Sequence, residues 1–161
     1  MEIKYLKKLK DNPTVGGWTN KGINLEGIKE LENLYNNGNP FPVAFREYLF
    51  ISGNRTIVAL DRGNGYKWMQ EAAKEGLELY EVSIDRPFFV THQIDNCMQF
   101  AFFYLDEKED NPKIYNCYVD HEEFDFINFI EPIFQEGFAE LIDDFVYKAK
   151  VDEKYGGYSK E

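Results

Sequence analysis

Two histidines and two cysteines are all the imidazoles and thiols in the 161 residues. Cys97 and Cys117 are too few for a disulfide scaffold, and both read as free thiols. Long apolar runs are missing as well: no stretch approaches the ~20 residues that a bilayer-spanning helix needs, so no membrane association is expected. Positive charge is scarce. Against 18 Lys and Arg stand 29 Asp and Glu, a formal net charge of −11. That sign disfavours a general nucleic-acid binder and favours a basic protein partner. The basic opening from Met1 to Lys10 could begin an export signal, but Asp11, Asn12 and Pro13 stand where its apolar segment belongs. A reducing, cytoplasmic setting is therefore expected.

Aromatic side chains are plentiful, with 14 Phe, 11 Tyr and 2 Trp. They supply large surfaces for a core or for contact with a partner. Charge is unevenly placed. Residues 1–60 hold 8 Lys or Arg against 6 Asp or Glu, residues 61–161 hold 10 against 23, and residues 95–145 carry 14 acidic and 2 basic side chains. An electrostatic partner should meet that last stretch.

No repeat, low-complexity run or long linker interrupts the chain, and its length suits one domain over residues 1–161. Asn24 can cap a helix with apolar Leu25, Ile28, Leu31, Leu34 and Tyr35, stopped by Asn36 to Gly38. A second helix begins at Pro42, shows Phe45, Tyr48 and Leu49 on an apolar face, and ends at Gly53. Arg55 to Leu60 reads as a strand closed by the turn sequence Asp61 to Gly65, and a short helix follows over Trp68 to Lys74. After Gly76 the pattern turns to strands at Leu77–Ser83, Phe88–Gln93, Cys97–Leu105 and Lys113–Asp120, whose short connections fit an antiparallel meander. Symmetric pairing about the loop Asp106 to Pro112 puts Met98, Phe100, Phe102 and Tyr104 on one face with Tyr115, Cys117 and Val119, the expected core side. Pro132 marks an irregular segment. Gly137 to Lys150 is a helix, and residues 151–161 read as a frayed tail.

Chemistry is harder to find. Gly63, Asn64 and Gly65 lack the remainder of either phosphate-binding loop and read as a turn. His92, Cys97, Cys117 and His121 form the best metal pattern available, but no short Cys-x2-Cys knuckle is present and the symmetric register points the two thiols to opposite faces. No metal or cofactor is expected. Asp106, Glu107, Glu109 and Asp110 fall on the hairpin tip, with Glu122, Glu123 and Asp125 further on. Solvated carboxylates keep ordinary pKa values, so a partner-binding patch or a plain soluble loop fits them better than acid–base catalysis. Tyr66, Trp68, Tyr115 and Tyr118 could anchor a partner, or simply pack the core. No catalytic residue stands out, and the chain reads as no enzyme.

The order of the N-terminal half carries a resemblance. The helix bearing Ile28 to Leu34, the Pro-containing break, and the segment Phe41-Pro42 through Phe45, Tyr48 and Leu49 to Ser52-Gly53 resemble the opening of the SUKH superfamily in its Smi/Knr cell-wall-regulator-like branch. Gly137 to Phe145 is similar to that family's closing helix. The resemblance covers residues 24–149, leaving 1–23 as an N-terminal extension. Ser52-Gly53-Asn54 departs from the family's Asn-Gly-Gly, and Asp120 to Gln135 is a longer acidic connection. What the resemblance implies is an α+β domain with one central, largely antiparallel sheet of five to six strands and helices packed against it. It also implies a non-enzymatic immunity protein that binds a cognate toxin domain, basic and often a nuclease, and occludes it. The contact surface expected is Asp106, Glu107, Glu109, Asp110, Glu122, Glu123 and Asp125 with Tyr118. A regulatory scaffold for an endogenous protein, or a metal-dependent enzyme, are the alternative readings.

Overall fold

A computed structural model of the chain describes residues 1–58, 60, 65–94, 96–119 and 130–155. The element order is α1 (Lys7–Asp11), β1 (Thr14–Val15), β2 (Trp18–Thr19), α2 (Leu25–Tyr35), α3 (Val43–Ser52), α4 (Tyr66–Leu79), β3 (Phe88–Ile94), β4 (Gln99–Tyr104), β5 (Lys113–Tyr118), β6 (Ile130–Gly137) and α5 (Phe138–Tyr155). The fold is α+β. The resemblance implies one central sheet of five to six strands; the described strands form a two-stranded ribbon, β1-β2, and a larger sheet in the order β3-β4-β5-β6. Within the span read as one domain, the chain forms two compact units. The first comprises Met1–Ala59, Glu109–Asn111 and Glu136–Glu161, the second Leu60–Lys108 and Pro112–Gln135.

In the first unit, α2 starts where the Asn24 side chain accepts a hydrogen bond from the Gly27 N–H at 2.8 Å, satisfying one of the free donors of a helix start. It stops at Asn37 and Gly38, both at positive φ. Its buried Glu32 reaches the next helix, accepting from the Phe41 N–H at 2.9 Å and lying 2.9 Å from Arg46 Nε. Pro42 caps α3, and Phe45 and Tyr48 clasp Phe138 of α5 edge-on at 5.5 and 5.6 Å between ring centroids. The start of α5 is capped from elsewhere in the chain: Asn111 Oδ1 accepts from the Ala139 N–H at 2.8 Å, and Glu140 accepts from Asn111 Nδ2 and the Gly137 N–H. Gly22 passes so close to α3 that a Cβ would lie 1.6 Å from the Phe50 carbonyl oxygen, so only glycine fits there.

Residues 1–23 are more than an extension. Leu6 and Leu9 are fully buried, and the buried carboxylate of Glu47 in α3 accepts three backbone N–H groups, from Lys4 at 2.7 Å and from Tyr5 and Leu6 at 2.9 Å each. Further along, Lys8 pairs with Asp143 and the Gly16 N–H donates to Glu153, both on α5. The strand expected over Arg55 to Leu60 is absent from its described residues. Arg55 makes only an isolated bridge to Lys21, and the next N–H groups turn to side chains, Ile57 to Asn20 and Val58 to Thr56. Side-chain acceptors there replace the ladder a strand needs. The tail is also more ordered than read, since helix α5 runs to Tyr155.

The second unit is a meander with one helix on it. Pairings Phe100↔Cys117 and Phe102↔Tyr115 realise the symmetric hairpin. The expectation of a single core face is incomplete, because Ala101 and Phe103 on the other face are as fully buried as Phe100 and Phe102. The register of β3 on β4 slips between Val90 and His92, a bulge at Thr91. Cys97, read as the start of a strand, lies in the preceding turn, where it and Asn96 both have positive φ. The strand expected at Leu77–Ser83 is a correction: Leu77 to Leu79 end α4, which is twice the length of the helix expected there. Its buried positions Tyr66, Met69, Ala73, Gly76 and Leu77 recur at helical spacing, so Gly76 lies within the helix on its buried face. Pro132, read as irregular, lies in β6, at the end of the sheet order where a missing N–H donor is tolerated.

The outer edge of β3 is closed by a side chain. The Val90 N–H donates to Gln70 Oε1 at 2.8 Å, and Gln70 Nε2 donates to the Val90 carbonyl at 2.9 Å. Gln70 thus gives Val90 the pair of bonds that another strand would give, blunting an edge open to aggregation. Nearby the Gln93 N–H donates to the Leu60 carbonyl.

The three N–H groups gathered by Glu47 generate a prediction. Glu47→Ala leaves those donors without their acceptor and should destabilise the protein by about 2–4 kcal/mol in urea denaturation. A loss below about 0.5 kcal/mol, the range of ordinary surface changes, would show that the N-terminal segment is not held this way.

Candidate functional site

The sequence directs attention to the hairpin between β4 and β5, and there the structure separates the acidic residues into different roles. Arg86 lies flat over the Tyr104 ring, 3.8 Å from its centroid, and holds Asp106 with two hydrogen bonds, Nε to Oδ2 at 3.0 Å and Nη2 to Oδ1 at 2.6 Å. The same Nη2 reaches Glu107 Oε1 at 3.3 Å, which also accepts from the Tyr115 hydroxyl at 3.2 Å. The fork of a guanidinium matches a carboxylate in this bidentate manner. The Arg86 bond holds the Asp106 carboxyl below its ordinary pKa, and the guanidinium is correspondingly raised. Burial, followed by the nearby Glu107 charge, raises the Tyr115 hydroxyl. Asp106 and Glu107 are therefore already matched by a cation of the chain itself.

In the first unit, Asp110 lies 3.7 Å from Lys4 Nζ and 3.5 Å from the Tyr5 hydroxyl, while its carbonyl accepts from the Ala44 N–H. That ion pair is exposed and weak. Glu109 is exposed, with no cationic partner among the described residues. Tyr118 is half-buried, and its hydroxyl takes a hydrogen bond from Asn116 Nδ2 at 3.4 Å. Glu122, Glu123 and Asp125 lie outside the described residues.

Both thiols and the His92 imidazole are held away from solvent. Cys97 and Cys117 are both buried, and burial pushes their thiols up to about 11 and about 12. A thiol so raised offers almost no thiolate at neutral pH. His92 is buried, with Nδ1 3.0 Å from the Thr91 hydroxyl, and desolvation lowers its pKa to about 4. Its partner Ala101 and the Cys117 partner Phe100 are consecutive on β4, so His92 and Cys117 point to opposite faces of the sheet. Among the described residues no three His, Cys, Asp or Glu side chains gather to hold a metal. His121 lies outside them.

Arg86 and the continuous outer face of α4 escaped the sequence reading, which named only Trp68 of that face. Arg86 was hidden in what looked like a turn before Pro87, and its role needs the register that brings Tyr104 and Asp106 beside it. The outer face of α4, where Trp68, Glu71, Ala72, Glu75 and Leu79 follow one another at helical spacing, was cut in two by reading Leu77–Ser83 as a strand. Their positions i, i+3, i+4, i+7 and i+11 were the available signal. Comparison with family models, with curated proteins and with solved structures finds no match for this chain.

The burial of His92 has a consequence in pH. The unfolded chain titrates near the ordinary histidine value of 6.5 and the folded chain near 4, so between these values the unfolded state binds more protons and stability falls with pH. From pH 7.5 to pH 5 the histidine term alone removes about 2 kcal/mol. His92→Asn lacks this term, so the stability gap between wild type and variant should narrow by that amount over the interval in paired urea denaturations. A constant gap would mean that His92 is accessible to protons in the folded state.

Proposed function

We propose that this chain is a non-enzymatic immunity protein, acting in the cytoplasm, that binds a basic toxin domain such as a nuclease and occludes its active site. The observation that carries the reading is the separation of reactive from accessible groups: His92, Cys97 and Cys117 are buried, whereas the exposed charged side chains described within residues 95–145 are Asp106, Glu109, Asp110 and Glu140 against Lys108 and Lys113. An acidic face speeds encounter with a cationic protein and suits occlusion rather than chemistry. The resemblance of residues 24–149 to the SUKH superfamily supports the same reading. It rests on an order of helix, Pro-containing break, helix, strand, hairpin and terminal helix; α2, α3, β4-β5 and α5 follow that order, while the strand after the second helix is absent from the described residues. That family's central sheet of five to six strands would include β3 to β6.

Within the surface assigned to the toxin, the described acids differ in how they are already paired. Asp106 and Glu107 share the single cation of Arg86 and Asp110 lies near Lys4, so among the described acids of this surface Glu109 is the one without a cationic partner; Glu122, Glu123 and Asp125 complete the proposed contact, with Tyr118 as its aromatic anchor. Reversing Glu109, Glu122, Glu123 and Asp125 to Lys should abolish copurification with the product of the adjacent gene and weaken binding by at least about tenfold, the scale expected when a charged interface loses its complementarity. Unchanged copurification and protection would contradict this surface. Copurification instead with an endogenous protein, and no toxic neighbour, would favour the regulatory-scaffold reading.

A further inference from the structure

Helix α4 presents two faces. One is the buried stripe Tyr66, Met69, Ala73, Gly76 and Leu77, and the other is the stripe Trp68, Glu71, Ala72, Glu75 and Leu79, at positions i, i+3, i+4, i+7 and i+11. The second stripe lines an open groove of about 310 Å³, whose other wall is Asn96 and Met98 from the turn leading into β4. Large apolar side chains stand at its ends, Trp68 at 37% and Leu79 at 74% exposure, and the small Ala72 and Gly76 form the middle. Eleven residues of helix separate the two ends, about 16 Å along the axis. That length holds two to three turns of a bound helix or several residues of an extended segment.

The charges of the groove define what fits it. Glu71 and Glu75 lie one turn apart and have no cationic partner among the described residues, whereas Lys74 and Glu78, off the stripe, face each other at 4.0 Å. An aromatic face beside two unmatched carboxylates is a setting for a guanidinium or ammonium group: the ring quadrupole attracts the cation and the carboxylates take its N–H donors. A nucleic acid is repelled by those carboxylates. A second copy of this chain is disfavoured by its own charge of −11.

We propose that the outer groove of α4 binds a basic amphipathic segment of a protein partner, with an arginine or lysine of that segment stacked on Trp68 between Glu71 and Glu75 and an apolar side chain lying over Ala72 toward Leu79. The proposal stands whether or not that partner is a toxin, because it concerns a different surface from the hairpin.

The test uses the full chain carrying Trp18→Phe, which leaves Trp68 as the only tryptophan. The probe is a short synthetic amphipathic peptide with leucine and arginine on one face, titrated while Trp68 emission is followed, beside a matched peptide with citrulline for arginine. The arginine peptide should give a saturable change. Glu71→Gln together with Glu75→Gln should weaken it by about tenfold or more, as should citrulline, since each removes a charge from a paired, stacked contact. These glutamates are exposed, and circular dichroism of the variant should match the parent. No saturable change would overturn the proposal. Equal binding of the citrulline peptide or of the double variant would also overturn it, because it would reduce the groove to an unselective apolar surface. Dimerisation of the peptide-free chain through this face would assign it to a second copy instead.

Discussion

The amide of Gln70 holds the backbone of Val90 at both its donor and its acceptor, and this pair of bonds fixes the rotation of α4 on the sheet. Each bond contributes on the order of 1 kcal/mol net, but breaking them exposes or strands the edge groups of β3 at a larger cost. An α-helix turns about 100° per residue. With Gln70 pinned at the strand edge, Met69, Ala73 and Leu77 must face inward, and Trp68, Glu71, Ala72, Glu75 and Leu79 must face out. A rotation by one residue would bury a glutamate and expose Met69. The same two bonds therefore protect the edge of the sheet and decide which side chains a partner can reach.

A net charge of −11 is less a uniform field than a set of separate uses for carboxylates. Glu47 and Glu32 are buried and serve as acceptors for backbone N–H groups, organising the N-terminal segment and the α2–α3 connection. Asp106 and Glu107 are taken up by Arg86 on its tyrosine platform. Among the described residues, Glu109 on the hairpin and Glu71 and Glu75 on α4 have no cationic partner.

Local signals in the sequence were legible where they act within a few residues. The Asn24 cap, the Asn36 to Gly38 stop, the Pro42 start and the symmetric pairing of β4 with β5 all rest on short-range rules, and each is realised. The failures came where distant contacts decide. Arg55 to Leu60 has β-branched residues but no strand to pair with, and its N–H groups turn to Asn20 and Thr56. Gly76 looked like a break because glycine usually is one; here it lies on the buried stripe of α4, with the Cys97 carbonyl and the Val119 side chain at ordinary van der Waals range, surroundings that only tertiary packing supplies. For the candidate site, the residue types were readable and their pairings were not. Nothing in the spacing of Arg86 and Asp106 announces that the register of β3 on β4 will bring them together.

The dependence of the α4 face on the Gln70 bonds is open to direct measurement by amide hydrogen exchange. In the wild-type chain the Val90 amide should be protected. In Gln70→Ala its protection should fall by about fivefold or more, the equivalent of one net hydrogen bond, while the amides that bond β4 to β5 keep theirs. Unchanged protection of Val90 in the variant would mean that something other than Gln70 sets α4 on the sheet, and the account of its outward face would fail with it.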